Sequence, residues 1–297
     1  MRVFLTGATG FVGGYVLKQL EKEDFNILLL VRASKENFSS TIKSKKVDII
    51  LGDLSDIDKW KNELIQFKPD TTIHLAWEGI PDYGVKTSVK NLKYGLDLFE
   101  ELAELGCKKI ICTGSCWEYG QNQGEISENL PVKSSNAFTT AKNALHYLGR
   151  EIAKDKNVQF IWTRLFYVYG PGQRENSLIP HMIKCVKEGK KPKIKTPSAR
   201  NDFIYVEDVA RAIVAILEKC KQSTVYNIGS GYSTSIQEII REICNCYNIE
   251  YIQKSKQLSE YQAINFWADI SKIRKEIGWE PKVNIVEGVN STVTYYK

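Results

Sequence analysis

The chain has 297 residues, 43% of them hydrophobic and 26% charged, with a formal net charge of +6. That balance is ordinary for a globular protein with a sizeable core, and no apolar run reaches membrane length. Seven scattered cysteines, an odd number, argue for reduced thiols rather than a disulfide framework. The Lys-rich stretches KSKK (43–46) and KEGKKPKIK (187–195) are short and lack interleaved aromatics, so they read as solvated surface rather than a nucleic-acid platform. Cys244 and Cys246 have no second Cys or His cluster to complete a metal site. The chain opens on MRVFLTG, without the basic segment and apolar run of a secretion signal, and the expected location is cytoplasmic.

In chain order, RVFLTG (2–7) reads as a strand entering a turn, and residues 11–22 carry helical spacing at Val12, Val16, Leu17 and Leu20. NILLLV (26–31) and VDIILGD (47–53) are two further strands, and residues 57–67 a helix. TTIHLA (71–76) is a fourth strand, 85–105 a helix, and KIICTGS (109–115) a fifth strand. Ser134 to Lys154 form a helix, followed by VQFIWTR (158–164). Beyond YGPGQ (169–173) the helices are 178–189, the later part of 201–219, and 235–247, with a short strand at 225–229. Continuous apolar strands alternating with helices predict an α/β fold, a doubly wound parallel sheet of Rossmann type, with a smaller C-terminal α/β substrate lobe. The expected division is 1–166 for dinucleotide binding, joined by 201–232, and 167–297 mainly for substrate.

TGATGFVGG sets Gly7, Gly10 and Gly13 directly after the first strand, where the next helix begins. Glycines there let the backbone approach a pyrophosphate, and the helix start offers unpaired N–H groups. At the end of the second strand, Val31 stands where a NAD site usually places an acid, and Arg32, Ser34 and Lys35 follow. An Arg there can hold a 2′-phosphate, so NADP(H) is favoured over NAD(H). Asp53 either accepts from an adenine amino group or caps the following helix.

These motifs, with HLAW, Asn91, TGSCWEYG, the Phe138/Lys142 segment, TRLFYVYGPGQ, DFIYVEDVARAI, YNIGSGYSTSI and ADISKIRKEIGWEP, resemble the extended short-chain dehydrogenase/reductase family, in its nucleotide-sugar branch, over nearly the whole chain. The resemblance implies catalytic positions at Ser115, Phe138 and Lys142. It implies a cofactor site of Gly7, Thr9, Gly10, Phe11, Val12 and Arg32, continued by Asp53, Leu54, Leu75, Ala76 and Lys142. It implies a substrate site of Trp77, Tyr83, Cys116, Trp117, Tyr167 and Arg200, for a nucleotide-diphosphate sugar. No metal is expected, and a homodimer through the helices near 85–105 and 138–155 is.

Two departures narrow the expectation. Sugar 4,6-dehydratases follow the Ser/Thr with an Asp-Glu pair, whereas Cys116 and Trp117 follow Ser115, which disfavours water elimination. The family's Tyr-x-x-x-Lys appears as Phe138 and Lys142, and Phe has no proton to give. The intact surroundings read as a reductase site that has lost one hydroxyl by a Tyr→Phe exchange. If the Phe is natural, the proton comes from Tyr83, Tyr167 or a water held by Ser115. The leading expectation is NADPH-dependent reduction of a nucleotide-linked 4-keto-6-deoxysugar at carbon 4. The alternatives are a 4-epimerase with tightly bound NAD and a non-catalytic NADP or sugar-nucleotide binder.

Overall fold

Runs that are apolar throughout become strands buried on both faces. Val3, Phe4 and Leu5 are wholly buried, as is Leu29 in the next run. A computed structural model describes residues 1–297 except 33–37, 39–41, 43, 121, 193, 195 and 252–264. Ser34 and Lys35, which follow Arg32, and Lys193 and Lys195, in the second Lys-rich stretch, lie outside the described residues.

The strands are β1 (Arg2–Thr6), β2 (Asn26–Val31), β3 (Val47–Leu51), β4 (Thr71–His74), β5 (Lys109–Ser115), β6 (Gly124–Ile126), β7 (Gln159–Leu165), β8 (Tyr167–Tyr169), β9 (Arg200–Asn201), β10 (Phe203–Tyr205), β11 (Thr224–Ile228), β12 (Thr234–Ser235) and β13 (Phe266–Ala268). The helices are α1 (Phe11–Leu20), α2 (Lys61–Phe67), α3 (Val85–Glu104), α4 (Ala137–Asp155), α5 (Leu178–Lys187), α6 (Val206–Lys219), α7 (Ile236–Cys246), α8 (Ser271–Ile277) and α9 (Ile285–Tyr296).

The chain divides into two compact units. The first holds Met1–Gly120, Pro131–Leu165 and Ala210–Tyr226; the second holds Gln121–Leu130, Phe166–Val209 and Asn227–Lys297. The first unit carries a seven-stranded sheet in the order β11-β7-β5-β4-β1-β2-β3. It is parallel from β7 through β3. The order reverses between β1 and β4, and in such sheets ligands enter at that switch, beyond the carboxyl ends of the strands. Phe4, Leu98, Phe99, Leu102, Phe160 and Trp162 are among the side chains of its core.

The second unit is knit from short pairs: β8 with β10 and β6 with β13 in parallel, β9 with β12 antiparallel. Helices α5, α7 and α9 contribute Ile183, Ile240 and Val293 to its core. Asp202 is wholly buried there and accepts from the amides of Ser230 (2.6 Å), Gly231 (3.0 Å) and Ala268 (3.0 Å). A buried carboxylate with three backbone donors ties strand to turn.

One predicted helix differs. Residues 57–67 form a 3-10 turn (Ile57–Lys59) and then α2, because Trp60 turns inward. Its side chain is 1% exposed and its indole N–H donates to the Asp53 carbonyl at 2.9 Å.

Candidate active site

The groove at the switch point begins with the glycines. Gly7 has φ +82°, and a Cβ on it would lie 2.7 Å from the Ala76 amide nitrogen. A Cβ on Gly13 would lie 1.9 Å from the Gly7 carbonyl oxygen, so only glycine lets α1 close onto β1. Helix α1 starts at Gly10 with no side-chain cap, which leaves its first-turn amides, those of Phe11 and Val12 among them, free for an anion.

The groove opens to solvent, and roughly 740 Å³ lies within it and its mouth. Gly7, Thr9 and Gly10 line one part, Leu75, Ala76 and Trp77 another, and Arg32, Asp53 and Leu54 a third. Strand alternation sharpens the specificity argument. Leu30 and Arg32 line the groove, whereas Val31 is 1% exposed in the core. Arg32 therefore lies on the groove wall, one residue beyond the position inferred from sequence. Asp53 accepts from the Ser55 amide at 2.8 Å. Burial raises its pKa, the Ser55 hydrogen bonds and the charge of Arg32 lower it, and the balance lies below the usual carboxylate value.

The segment carrying Phe138 and Lys142 is set by the start of α4. Asn136 accepts from the Thr139 amide at 2.9 Å, and the Thr139 hydroxyl accepts from the Asn136 amide at 3.2 Å. That reciprocal cap fixes the first turn. Phe138 and Lys142, one turn apart, share a face. The Lys142 ammonium, 5% exposed, donates to the Thr113 carbonyl at 2.7 Å and sits 4.0 Å above the Trp77 ring. Burial lowers its pKa. Phe138 lies against three rings: Trp77 at 5.4 Å, Tyr83 at 5.2 Å and Trp117 at 6.2 Å between centroids. Trp77 also keeps a buried indole N–H that has no acceptor among the described residues.

Ser115 ends β5, and its hydroxyl accepts from the Trp117 amide at 3.2 Å. Its own amide donates 2.7 Å to Glu118. Glu118, wholly buried, also accepts from Arg164 Nε (2.9 Å) and from the Trp162 indole (3.0 Å). Arg164 donates on to the Tyr119 hydroxyl at 2.9 Å. Burial lowers the Arg164 pKa, the Glu118 and Tyr119 partners raise it, and the partners prevail. This clamp holds the serine from beneath. It escaped the sequence reading, although Ser-x-x-Glu is a capping-box pattern and an Arg inside an apolar strand signals a buried partner.

Asn91 joins α3 to the loop after β4, accepting from the Glu78 amide at 2.7 Å and donating to the Thr87 carbonyl at 2.8 Å. Cys116 is 3% exposed beneath the surface. In the second unit, Arg200 donates to the Ser233 carbonyl at 2.7 Å and pairs with Glu238 at 3.1 Å, and Tyr167 packs its ring on Phe203 at 5.6 Å. Among the described residues no His/Cys/Asp/Glu group could hold a metal, and no helix is long and apolar enough to cross a membrane.

Comparisons place these features among known proteins. The model of the NAD dependent epimerase/dehydratase family matches residues 3–229. The dTDP-D-glucose 4,6-dehydratase of Mus musculus is 25% identical over 100% of this chain and 88% of its own. The UDP-glucose 4-epimerase of Pisum sativum is 25% identical over 96% and 93%. Among solved structures, a Tyr→Phe mutant of UDP-glucuronic acid 4-epimerase from Bacillus cereus, in complex with UDP-4-deoxy-4-fluoro-glucuronic acid and NAD, superposes with a TM-score of 0.87. It is 26% identical, covering 99% of this chain and 98% of that one.

Proposed function

The chain belongs to the NAD dependent epimerase/dehydratase family, and from that premise we propose that it is an NADPH-dependent ketoreductase acting at carbon 4 of a nucleotide-linked 4-keto-6-deoxysugar. The observation that carries this reading is Arg32 on the groove wall, with no acid on the same strand end. A guanidinium there pairs with a 2′-phosphate, and a reductase that must exchange its cofactor each turnover draws on NADPH. The glycine cradle and the uncapped start of α1 fit a dinucleotide pyrophosphate.

The bound cofactor supplies the hydride. The protein supplies the rest. Ser115, fixed by Glu118 from below, donates to and orients the sugar carbonyl oxygen. Lys142 holds the nicotinamide ribose with donors that the Thr113 carbonyl leaves free. Arg200 grips the sugar diphosphate, giving up Glu238 to do so. Water elimination has no support: the nearest carboxylate after Ser115, Glu118, is wholly buried in its clamp. Exposed Val85 and Val89 on α3, with Tyr147 and Leu148 on α4, support a homodimer through those helices.

A 4-epimerase with retained NAD is the second reading, favoured by the pea and Bacillus relatives. Two measurements separate them: the nucleotide released from denatured purified protein, and NADPH oxidation with 4-keto-6-deoxysugar nucleotides. The ketoreductase is expected to carry no stoichiometric NAD and to consume NADPH with at least one ketosugar. Stoichiometric NAD, with inversion of a UDP-hexose at carbon 4 in the absence of added cofactor, would replace this reading by the epimerase.

A further inference from the structure

We propose that Tyr83 is the proton donor of this site, in place of the hydroxyl that Phe138 lacks; the inference rests on the ketoreductase reading above. Hydride addition to a carbonyl leaves an alkoxide that must take a proton, and the Phe138 position offers none.

Glu118, Tyr119, Lys142 and Tyr94 are committed elsewhere. Glu118 is wholly buried on Ser115, Trp162 and Arg164. Tyr119 is 1% exposed and holds Arg164. Lys142 lies over the Trp77 ring and on the Thr113 carbonyl, and its remaining donors are assigned to the nicotinamide ribose. Tyr94 lies on the dinucleotide groove beside Lys90.

Tyr83 differs on each point. Its ring centroid is 5.2 Å from that of Phe138 and 5.2 Å from that of Trp117, the residue whose amide holds the Ser115 hydroxyl. It is the tyrosine, among the described residues, whose ring packs on Phe138. It is half-buried, so its phenol can be reprotonated from water. Its hydroxyl has no hydrogen-bond partner among the described residues.

Its loop is also built to hold it. The Asp82 amide donates to the Gly79 carbonyl at 2.7 Å, and the Asp82 carboxylate accepts from the Gly84 amide at 2.8 Å and from the Thr87 hydroxyl. Asn91 pins Glu78 at the other end of the loop. An acid must be positioned before its pKa matters.

The step balances. Carbon 4 gains a hydride with its electron pair from the reduced dinucleotide, and the carbonyl π pair moves to oxygen. The O–H bond of Tyr83 breaks, and its proton passes to that oxygen. The ketone is reduced to an alcohol and the dinucleotide oxidised, and the phenolate recovers a proton from water.

The test compares wild type, Tyr83→Phe and Tyr83→Phe/Phe138→Tyr with NADPH and the ketosugar panel. Dinucleotide binding is followed by fluorescence quenching, which also reports that each variant folds. Tyr83→Phe is expected to lower kcat about 100- to 10,000-fold, with dinucleotide affinity within about twofold of wild type. The loss should appear in kcat, with the KM for the ketosugar little changed. The double variant, with a phenol restored one turn before Lys142, should recover at least about tenfold. A Tyr83→Phe kcat within about threefold of wild type would overturn the assignment while leaving the ketoreductase in place. Wild type that oxidises no NADPH with any ketosugar would remove the ketoreductase reading and this inference with it.

Discussion

Removing the charge of Glu118 tests the clamp beneath the site. The carboxylate receives the Ser115 amide at 2.7 Å, Arg164 Nε at 2.9 Å and the Trp162 indole at 3.0 Å, with no exposure to water. In Glu118→Gln, one carboxylate oxygen becomes an NH2 group. It must face either the Ser115 amide or Arg164 and Trp162, all of them donors. At least one bond is lost, two donors oppose each other, and Arg164 stays charged at 3% exposure. Breaking a buried pair from one side costs about 3–5 kcal/mol. Guanidinium unfolding followed by tryptophan fluorescence reads the loss as a lower midpoint at constant slope. Replacing both partners, as Glu118→Leu/Arg164→Met, should cost less than Glu118→Leu alone, since no orphaned charge remains. A Glu118→Gln loss under about 1 kcal/mol, or a double variant worse than the single, would refute the claim that charge compensation holds Ser115 in place.

The remaining predictions concern cofactor choice and acid stability. Arg32→Ala should cut the preference for NADPH over NADH by roughly 10- to 150-fold, the worth of about 1.5–3 kcal/mol for hydrogen bonds to a charged group. Titrating both dinucleotides checks it, and an unchanged ratio removes Arg32 from the 2′-phosphate. Burial pushes His74, beside Thr6, and His146, stacked on Trp162, down to about 3. An unfolded histidine binds its proton near pH 6.5, so below that value the unfolded chain holds more protons and stability falls with pH until about 3, by up to roughly 1.4 kcal/mol per unit for each histidine. His74→Gln should therefore flatten the stability–pH slope between pH 6 and 4 by about one proton. An unchanged slope would mean that His74 is not held neutral.

Much of the first unit can be read from the chain. Strands buried on both faces appear as unbroken apolar runs, so NILLLV and KIICTGS announce β2 and β5. The glycine turn announces itself because Gly7 and Gly13 answer to local backbone constraints. The second unit is harder to read. Strand β6 has three residues, and its partner β13 lies far along the chain, at Phe266–Ala268. Such pairings leave no local period. Residues 57–67 look like one helix because nothing local shows that Trp60 must turn into the core. Within the site, the family resemblance, not local pattern, pointed to Ser115, Phe138 and Lys142. The Thr113 carbonyl that receives Lys142 is backbone, which every residue possesses, and only the fold selects it. Tyr83 stood in the sequence as one of several tyrosines, and ring packing separates it from Tyr119 and Tyr167.

The most direct test of the central claim follows one hydrogen. The protein is incubated with NADPH carrying deuterium at the transferable position and with a nucleotide-linked 4-keto-6-deoxysugar, and the product is examined by NMR. The ketoreductase predicts one deuterium at carbon 4 for each NADP formed. Unlabelled product at carbon 4, formed with no net oxidation of NADPH, would contradict it.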